Sequence, residues 1–478
     1  MDIPIFHLDV LNNRMLIAFI ASIHVIVNHA MAVGGIPLVV FLEWKAVKSG
    51  DMRWDALAYK ILRVFFVVTT TLGAMTGVGI WFSAALVNPI AIGSLIRVFF
   101  FTWLVEWLVF VTEVVLILLY FKTWVHGFGP AKERHIRLGM GLAFASWVTM
   151  ALIVSILGFM MDPGSWQSDR TLFSGMLNPM YLPQLAFRTP LAMLMAGAAG
   201  LVISRFVTQE GTVERERATR TLSRWSLAFL LPTVVAGIVY ARRLPEGMRP
   251  NVPVAVGTQD LAHFSEVLLG VLGATGLAAA LVLLTGALRP GRVRGLVALV
   301  PAVACIAIIG TFERVREFVR KPYAIAGYLY SNGVRKDDMA LLRRDGMLAH
   351  ATYTEVRTVT PETKLVAGKE VFRLACTRCH TTNGVNGIRA HLVRMYGTDA
   401  PWSEDAISAY VAGMHAARPY MPPFPGSDAE RRALAAWLST LRDHDDAVEG
   451  AQVVGAASPA KAKGNPAFAA RALPGVEP

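Results

Sequence analysis

The chain is poor in charge and in cysteine, and it lacks a basic start. Only 17% of its 478 residues are Asp, Glu, Lys or Arg, against 54% hydrophobic residues and a mean hydropathy of +0.47. That balance excludes an ordinary soluble globular fold and points to a membrane protein. Of the three cysteines, Cys305 stands alone in an apolar stretch and reads as a small core residue, which leaves any thiol chemistry to Cys376 and Cys379. No Lys or Arg precedes Arg14, and the first apolar run is too long for a secretory leader, so no cleavable signal peptide is expected. The net charge of +12 sits largely between apolar stretches and requires no nucleic-acid partner.

Eight apolar stretches are long enough, or nearly so, to cross a bilayer: 15–42, 61–86, 97–121, 137–161, 181–206, 225–241, 262–286 and 295–315, the sixth being the shortest. The expected fold is all-α, a polytopic bundle of about eight spans followed by a small helical domain. Cations crowd alternate loops: Lys45, Lys48, Arg53 and Lys60; Lys122, Lys132, Arg134 and Arg137; Arg215, Arg217, Arg220 and Arg224; Arg289, Arg292 and Arg294. By the positive-inside tendency these loops face the cytoplasm. The N-terminus and the region after the eighth span are then expected on the periplasmic side of the inner membrane.

That last region carries Cys376-Thr377-Arg378-Cys379-His380. Cys-x-x-Cys-His supplies two thiols for the vinyl groups of one covalent haem c and an adjacent imidazole for its iron. Such attachment takes place outside the cytoplasm, which agrees with the charge bias. The alternatives are a redox-active Cys-x-x-Cys, or a structural zinc site, which would want further Cys or His ligands near by. Upstream, Gly368-x-x-x-Phe372 lies in a short helix pattern from Lys364 to Leu374. Downstream come Arg418-Pro-Tyr-Met421-Pro-Pro-Phe424 and a helix pattern from Asp428 with Leu434, Trp437, Leu438 and Leu441 on one face.

These flanks resemble a small class I cytochrome c over residues 361–443. The resemblance implies Met421 as sixth iron ligand, with Met414 and His415 as rivals; a thioether raises the potential relative to a second imidazole. Residues 1–330 are expected to form the membrane domain, 331–360 a linker, and 444–478, rich in Ala, Gly and Pro, a disordered tail.

Ionisable residues inside a membrane are costly and so are candidate functional sites. The first span carries Arg14, His24 and His29. His24 is either a haem ligand or a histidine hydrogen-bonded within the bundle. Glu106 and Glu113, seven residues apart on one face of the third span, are either a carboxyl ladder for protons or structural hydrogen-bond donors. Glu317 and Arg320, at spacing three near the end of the eighth span, either face inward together or belong to an interfacial belt.

Taken together the spans resemble subunit I of the cytochrome bd quinol oxidases over about residues 1–330. Arg14 lies ten residues before His24, as an arginine does before a haem-ligating histidine in that family. Glu113 followed by apolar residues to Trp124, Asn178-Pro179, and Glu317-Phe-Val-Arg320-Lys-Pro-Tyr-Ala-Ile325 also match its pattern, the last glutamate being a haem ligand there. The resemblance implies one or two b-type haems at His24 and Glu317, and a second membrane subunit resembling the family's subunit II.

The departures are as telling. Trp81 stands near where the family has a glutamate, Phe187, Arg188 and Thr189 stand where it has a low-spin haem histidine, and His263-Phe-Ser-Glu266-Val267 where it has a methionine. The quinol loop is reduced to residues 242–261. The reading that follows is a bd-like terminal oxidase subunit: a periplasmic donor, haem c, then b-type haem, reducing oxygen or nitric oxide, with Arg14, Arg320, Glu106 and Glu113 around the reaction. The alternatives are a non-catalytic electron conduit within a larger respiratory complex, and an anchor whose only cofactor is haem c.

Overall fold

The structure is a computed structural model and describes residues 6–258 and 261–442; the tail expected over 444–478 lies outside the described residues. Among those residues, eight helices are long and apolar enough to cross a membrane: Asn13–Ser49, Met52–Val87, Phe100–Lys122, Pro130–Met161, Tyr181–Val207, Val213–Arg242, Ala262–Leu288 and Gly295–Val319. Helices are the form such runs must take, because in lipid every backbone group has to be satisfied within its own segment.

The sixth span is longer than its apolar run, at 30 residues. Thr212 caps it by accepting from the Arg215 backbone, and the Arg215 guanidinium turns back onto Thr208 and the Arg205 carbonyl. The arginines that read as a loop therefore ride on helix. Lys132 also departs from its reading as a loop charge: it is fully buried in the fourth span.

The chain divides into two compact units. One comprises Ile20–Gly79 and Val98–Val319, most of the bundle. Its first and fifth spans approach so closely that a Cβ on Gly34 would lie 2.0 Å from the Ala192 carbonyl oxygen. The fifth span is the most covered by its neighbours, while the third and seventh are the least covered. Two π-helical turns, His29–Val33 and Thr69–Gly73, interrupt the first and second spans. Such turns widen a helix locally and often mark functional sites.

The other unit comprises 6–19, Ile80–Arg97 and 320–442. Its core packs helix Lys364–Ala375 against helix Asp428–Thr440. Gly368 permits that crossing, since a Cβ there would sit 2.1 Å from the Ala433 carbonyl oxygen, and Phe372 and Trp437 meet at 4.9 Å between centroids. Helices Ile388–Tyr396 and Glu404–Ala417 add Leu392, Ile407 and Val411. Residues 331–360, expected to be a linker, instead add Leu342, Met347 and Leu348 to this core. The buried carboxylate of Glu430 holds them there, accepting from the backbone of Met347 and Leu348 at 2.9 and 2.7 Å while closing the capping box with Ser427.

Candidate functional site

Helix Lys364–Ala375 delivers Cys376, whose amide still donates to the Phe372 carbonyl at 2.8 Å. The chain then folds back, with the amides of Cys379 and His380 both donating to the Cys376 carbonyl at 3.0 Å. One tight turn thus holds both thiols and the imidazole. Arg378, inside the motif, points away from them: its buried guanidinium donates to the carbonyls of Asn332 and Leu374. A side chain on Gly333, where φ is +81°, would strike that guanidinium at 2.9 Å. Burial lowers Arg378 to about 10, against the attraction of Cys379.

His380 is oriented by its sequel. Its Nδ1 donates to the Asn386 carbonyl at 3.1 Å, which leaves Nε2 as the free lone pair. Asn386 adopts φ 58° and ties its own amide to the Cys379 carbonyl at 2.7 Å. Removal from water lowers His380 to about 4, with the charges of His391 and Arg14 acting in the same direction, so the ring is neutral, the form that ligates a metal. Burial, then Cys379, pushes the Cys376 thiol up to about 12. Two thiols one turn apart and an oriented neutral imidazole are the donor set a c-type haem requires.

Met421 closes a turn by donating its amide to the Arg418 carbonyl at 2.8 Å. Its own carbonyl accepts from His415 Nδ1 at 2.6 Å, so one ring nitrogen of that rival is engaged with the Met421 backbone. Met414, the other rival, packs on the apolar core. Arg418 is braced by the hydroxyls of Tyr410 and Tyr420 at 3.0 and 3.1 Å.

An element the sequence did not announce clasps the loop after His380. Asp9 accepts from the Thr382 amide at 2.6 Å, Val10 from the Val385 amide at 3.0 Å, and Asn12 donates to the Val385 carbonyl at 3.2 Å. Gly384 is required beneath this strap, because a Cβ would lie 2.2 Å from the Asp9 carbonyl oxygen. Arg14 follows the strap directly. Arg320, in the same unit, donates to the Ala324 carbonyl at 2.7 Å.

In the bundle, His24 Nδ1 lies 3.1 Å from the Gly73 carbonyl in the second π turn and 3.2 Å from Thr76 Oγ1. The amide of Asn28 donates to the His24 carbonyl at 3.1 Å and lies 3.2 Å from Nε2. No side chain stands at Gly77, where a Cβ would be 3.1 Å from His24 Cε1. An imidazole tied at Nδ1 to a carbonyl, beside a glycine, fits the ligand role as well as the structural one. Glu113 accepts from Ser146 at 2.5 Å and from Thr149 at 3.3 Å on the fourth span. Glu106 lies two turns away on the same helix, half-buried.

Glu317 is half-buried, and the deeply placed carboxylate of the eighth span is Glu313. Glu313 pairs with Arg188 of the fifth span and with Arg316 at 3.0 Å. Arg188 is 1% exposed, donates to His29 Nε2 at 3.2 Å and lies 5.2 Å from the Phe312 ring. The available signal was Arg188 itself: an arginine in a span needs a buried partner. Phe187 packs on Phe312 at 4.9 Å, and His263 lies exposed against Phe264.

Residues 363–438 match the family described as cytochrome c oxidase, cbb3-type, subunit III. No curated protein matches the chain. Among solved structures, a chain of the bd oxidase from Geobacillus thermodenitrificans is similar, with a TM-score of 0.54 and 16% identity over 67% of this chain and 90% of that one. Residues 363–438 thus form a class I cytochrome c domain, which implies covalent haem c, and the membrane part has a bd oxidase-like fold. The chain is a multi-pass membrane haem electron-transfer protein.

Proposed function

We propose that the chain is an oxidoreductase subunit of the inner membrane that accepts electrons from a periplasmic donor and delivers them to oxygen or nitric oxide. Bound haem c, and b-type haem in the bundle, supply one-electron redox chemistry at iron. The thiols of Cys376 and Cys379 anchor the first, with His380 and Met421 as its axial ligands. His24 is the ligand we assign to the second, with Glu317 as the further candidate. Glu113, held by Ser146 and Thr149, and Glu106 hold protons along the third span. A membrane subunit resembling the bd family's subunit II is the expected partner.

The observation that carries this reading is the His24 imidazole, tied at Nδ1 to the Gly73 carbonyl with a glycine beside the ring. The buried Arg188–Glu313–Arg316 knot supports the loss of the low-spin site, because charged side chains occupy the position where the resemblance places its histidine. A donor other than quinol then becomes the natural source of electrons. That same knot also favours a second reading, a conduit that exchanges electrons within a larger complex without reducing a gas.

A reduced-minus-oxidised spectrum of the purified protein, with and without carbon monoxide and with pyridine haemochrome analysis, separates the two. Haem b with a carbon monoxide shift supports the oxidoreductase. Haem c with six-coordinate, unreactive haem b supports the conduit, and haem c alone removes both in favour of an anchor.

A further inference from the structure

Where the first four spans meet at their Lys- and Arg-rich ends, five polar side chains are buried together. Glu43, Asp55, Tyr120 and Lys132 are each 0% exposed and His135 is 4% exposed. Lys132 Nζ pairs with Glu43 Oε1 and Asp55 Oδ1 as an ion pair with both carboxylates and sits 4.1 Å from the Trp124 ring centroid. Tyr120 donates to Glu43 Oε2, an approach that Gly139 permits, since a Cβ there would be 2.7 Å from the Tyr120 ring. Asp55 Oδ2 lies 3.1 Å from Nδ1 of His126, whose side chain is 62% exposed.

His135 sets the proton count. Its Nε2 is 2.8 Å from the Tyr120 backbone carbonyl, which can only accept, so Nε2 carries a hydrogen. Its Nδ1 is 2.8 Å from Glu43 Oε1, and that contact also needs a hydrogen. A neutral imidazole has one N–H, so a further proton is shared between His135 and Glu43. With it the cluster is neutral: one ammonium and one shared proton against two carboxylates. Without it a net negative charge would be sealed in a dry interior, which is strongly unfavourable.

We infer that Glu43 and His135 form a proton-loading site that exchanges its proton with solvent through Lys132, Asp55 and His126. His126 gives the proton from Nδ1 to Asp55. Lys132 passes one hydrogen to Glu43 as it receives one from Asp55, so each relay group gains one proton and loses one. Tyr120 lies seven residues beyond Glu113 on the third span, itself seven beyond Glu106, which puts the site at the foot of the carboxyl ladder. That this proton serves the ladder rests on the proposed function; the loading does not.

The test is infrared-detected hydrogen–deuterium exchange on the purified full chain in its native assembly, with ring-labelled histidine and Glu43→Gln to assign the band. An imidazolium–carboxylate band that exchanges within seconds is expected, slowed about tenfold by His126→Ala on the surface and similarly by Asp55→Asn. A neutral His135 beside an ionised Glu43, exchange only over hours, or equal rates in wild type and both variants would overturn the loading site. Intact exchange in a protein that reduces neither oxygen nor nitric oxide would sink the proposed function alone.

Discussion

The Nδ1 atom of His380 and the carbonyl oxygen of Asn386 lie 3.1 Å apart, and this bond leaves Nε2 as the ring nitrogen with a free lone pair. Asn386 makes it from a left-handed conformation, φ 58°, that a β-branched residue tolerates poorly. Asn386→Val should cost about 1–2 kcal/mol locally and lower haem c content. Asn386→Gly, which keeps the backbone, should retain the haem but broaden its redox transition. Haemochrome yield and potentiometric titration of the two variants check this, and normal loading in the valine variant would refute it.

Met421 and its rivals are separable by potential. Replacing Met421 with His should lower the haem c potential, since a second imidazole favours the oxidised iron more than a thioether does. Met414→Leu should leave it unchanged, because that side chain packs on the core. A drop with Met414→Leu and none with Met421→His would move the ligand to Met414.

The buried pair Arg188–Glu313 predicts an asymmetric mutational response. Glu313 serves two guanidiniums, so Glu313→Ala strands both Arg188 and Arg316, whereas Arg188→Ala leaves Glu313 with Arg316. Breaking a buried pair costs about 3–5 kcal/mol, so both variants should unfold at lower temperature in detergent, the glutamate variant more so. The double variant Arg188→Leu with Glu313→Gln should be milder than the sum of the singles. Additivity in a thermal-unfolding cycle would contradict the pairing.

The strap over the haem-binding loop should loosen in acid. Burial acts to raise the Asp9 carboxyl, but hydrogen bonds from His7 and Thr382 outweigh it and hold it below the ordinary 3.8. A folded carboxyl lowered in this way contributes fully above 3.8, and the contribution disappears as pH falls through the lower, folded value. Backbone hydrogen exchange, corrected for intrinsic rates, should show protection of Thr382 and Val385 at neutral pH and its loss on the acid side of that range. Asp9→Asn should reproduce the loss at neutral pH; unchanged protection in both experiments rules the strap out.

How much of this was legible depends on which signals are local. The helix pattern from Lys364, the Cys-x-x-Cys-His motif and the shared helix face of Glu106 and Glu113 could be read off because each depends on spacing within one segment, whereas the close crossing at Gly368 shows only in the packing. The sixth span was read short because hydropathy sees only its apolar part, while its cap at Thr212 and the arginines of its first turns extend it. Residues 331–360 read as a linker because their few apolar side chains have no period, yet Leu342, Met347 and Leu348 are buried by distant helices and held by Glu430.

By itself the sequence determined the class of the protein: eight apolar runs that must become helices in lipid, and a haem-attachment motif whose residues are consecutive. Tertiary structure decided which ionisable side chains are paired. Glu43, Asp55, Lys132 and His135 come from three different spans, and Arg188 meets Glu313 across 125 residues of chain. Burying a charge is tolerable only when a partner sits within hydrogen-bonding reach. Which partner does so depends on how helices far apart in sequence are packed, and no local pattern records it.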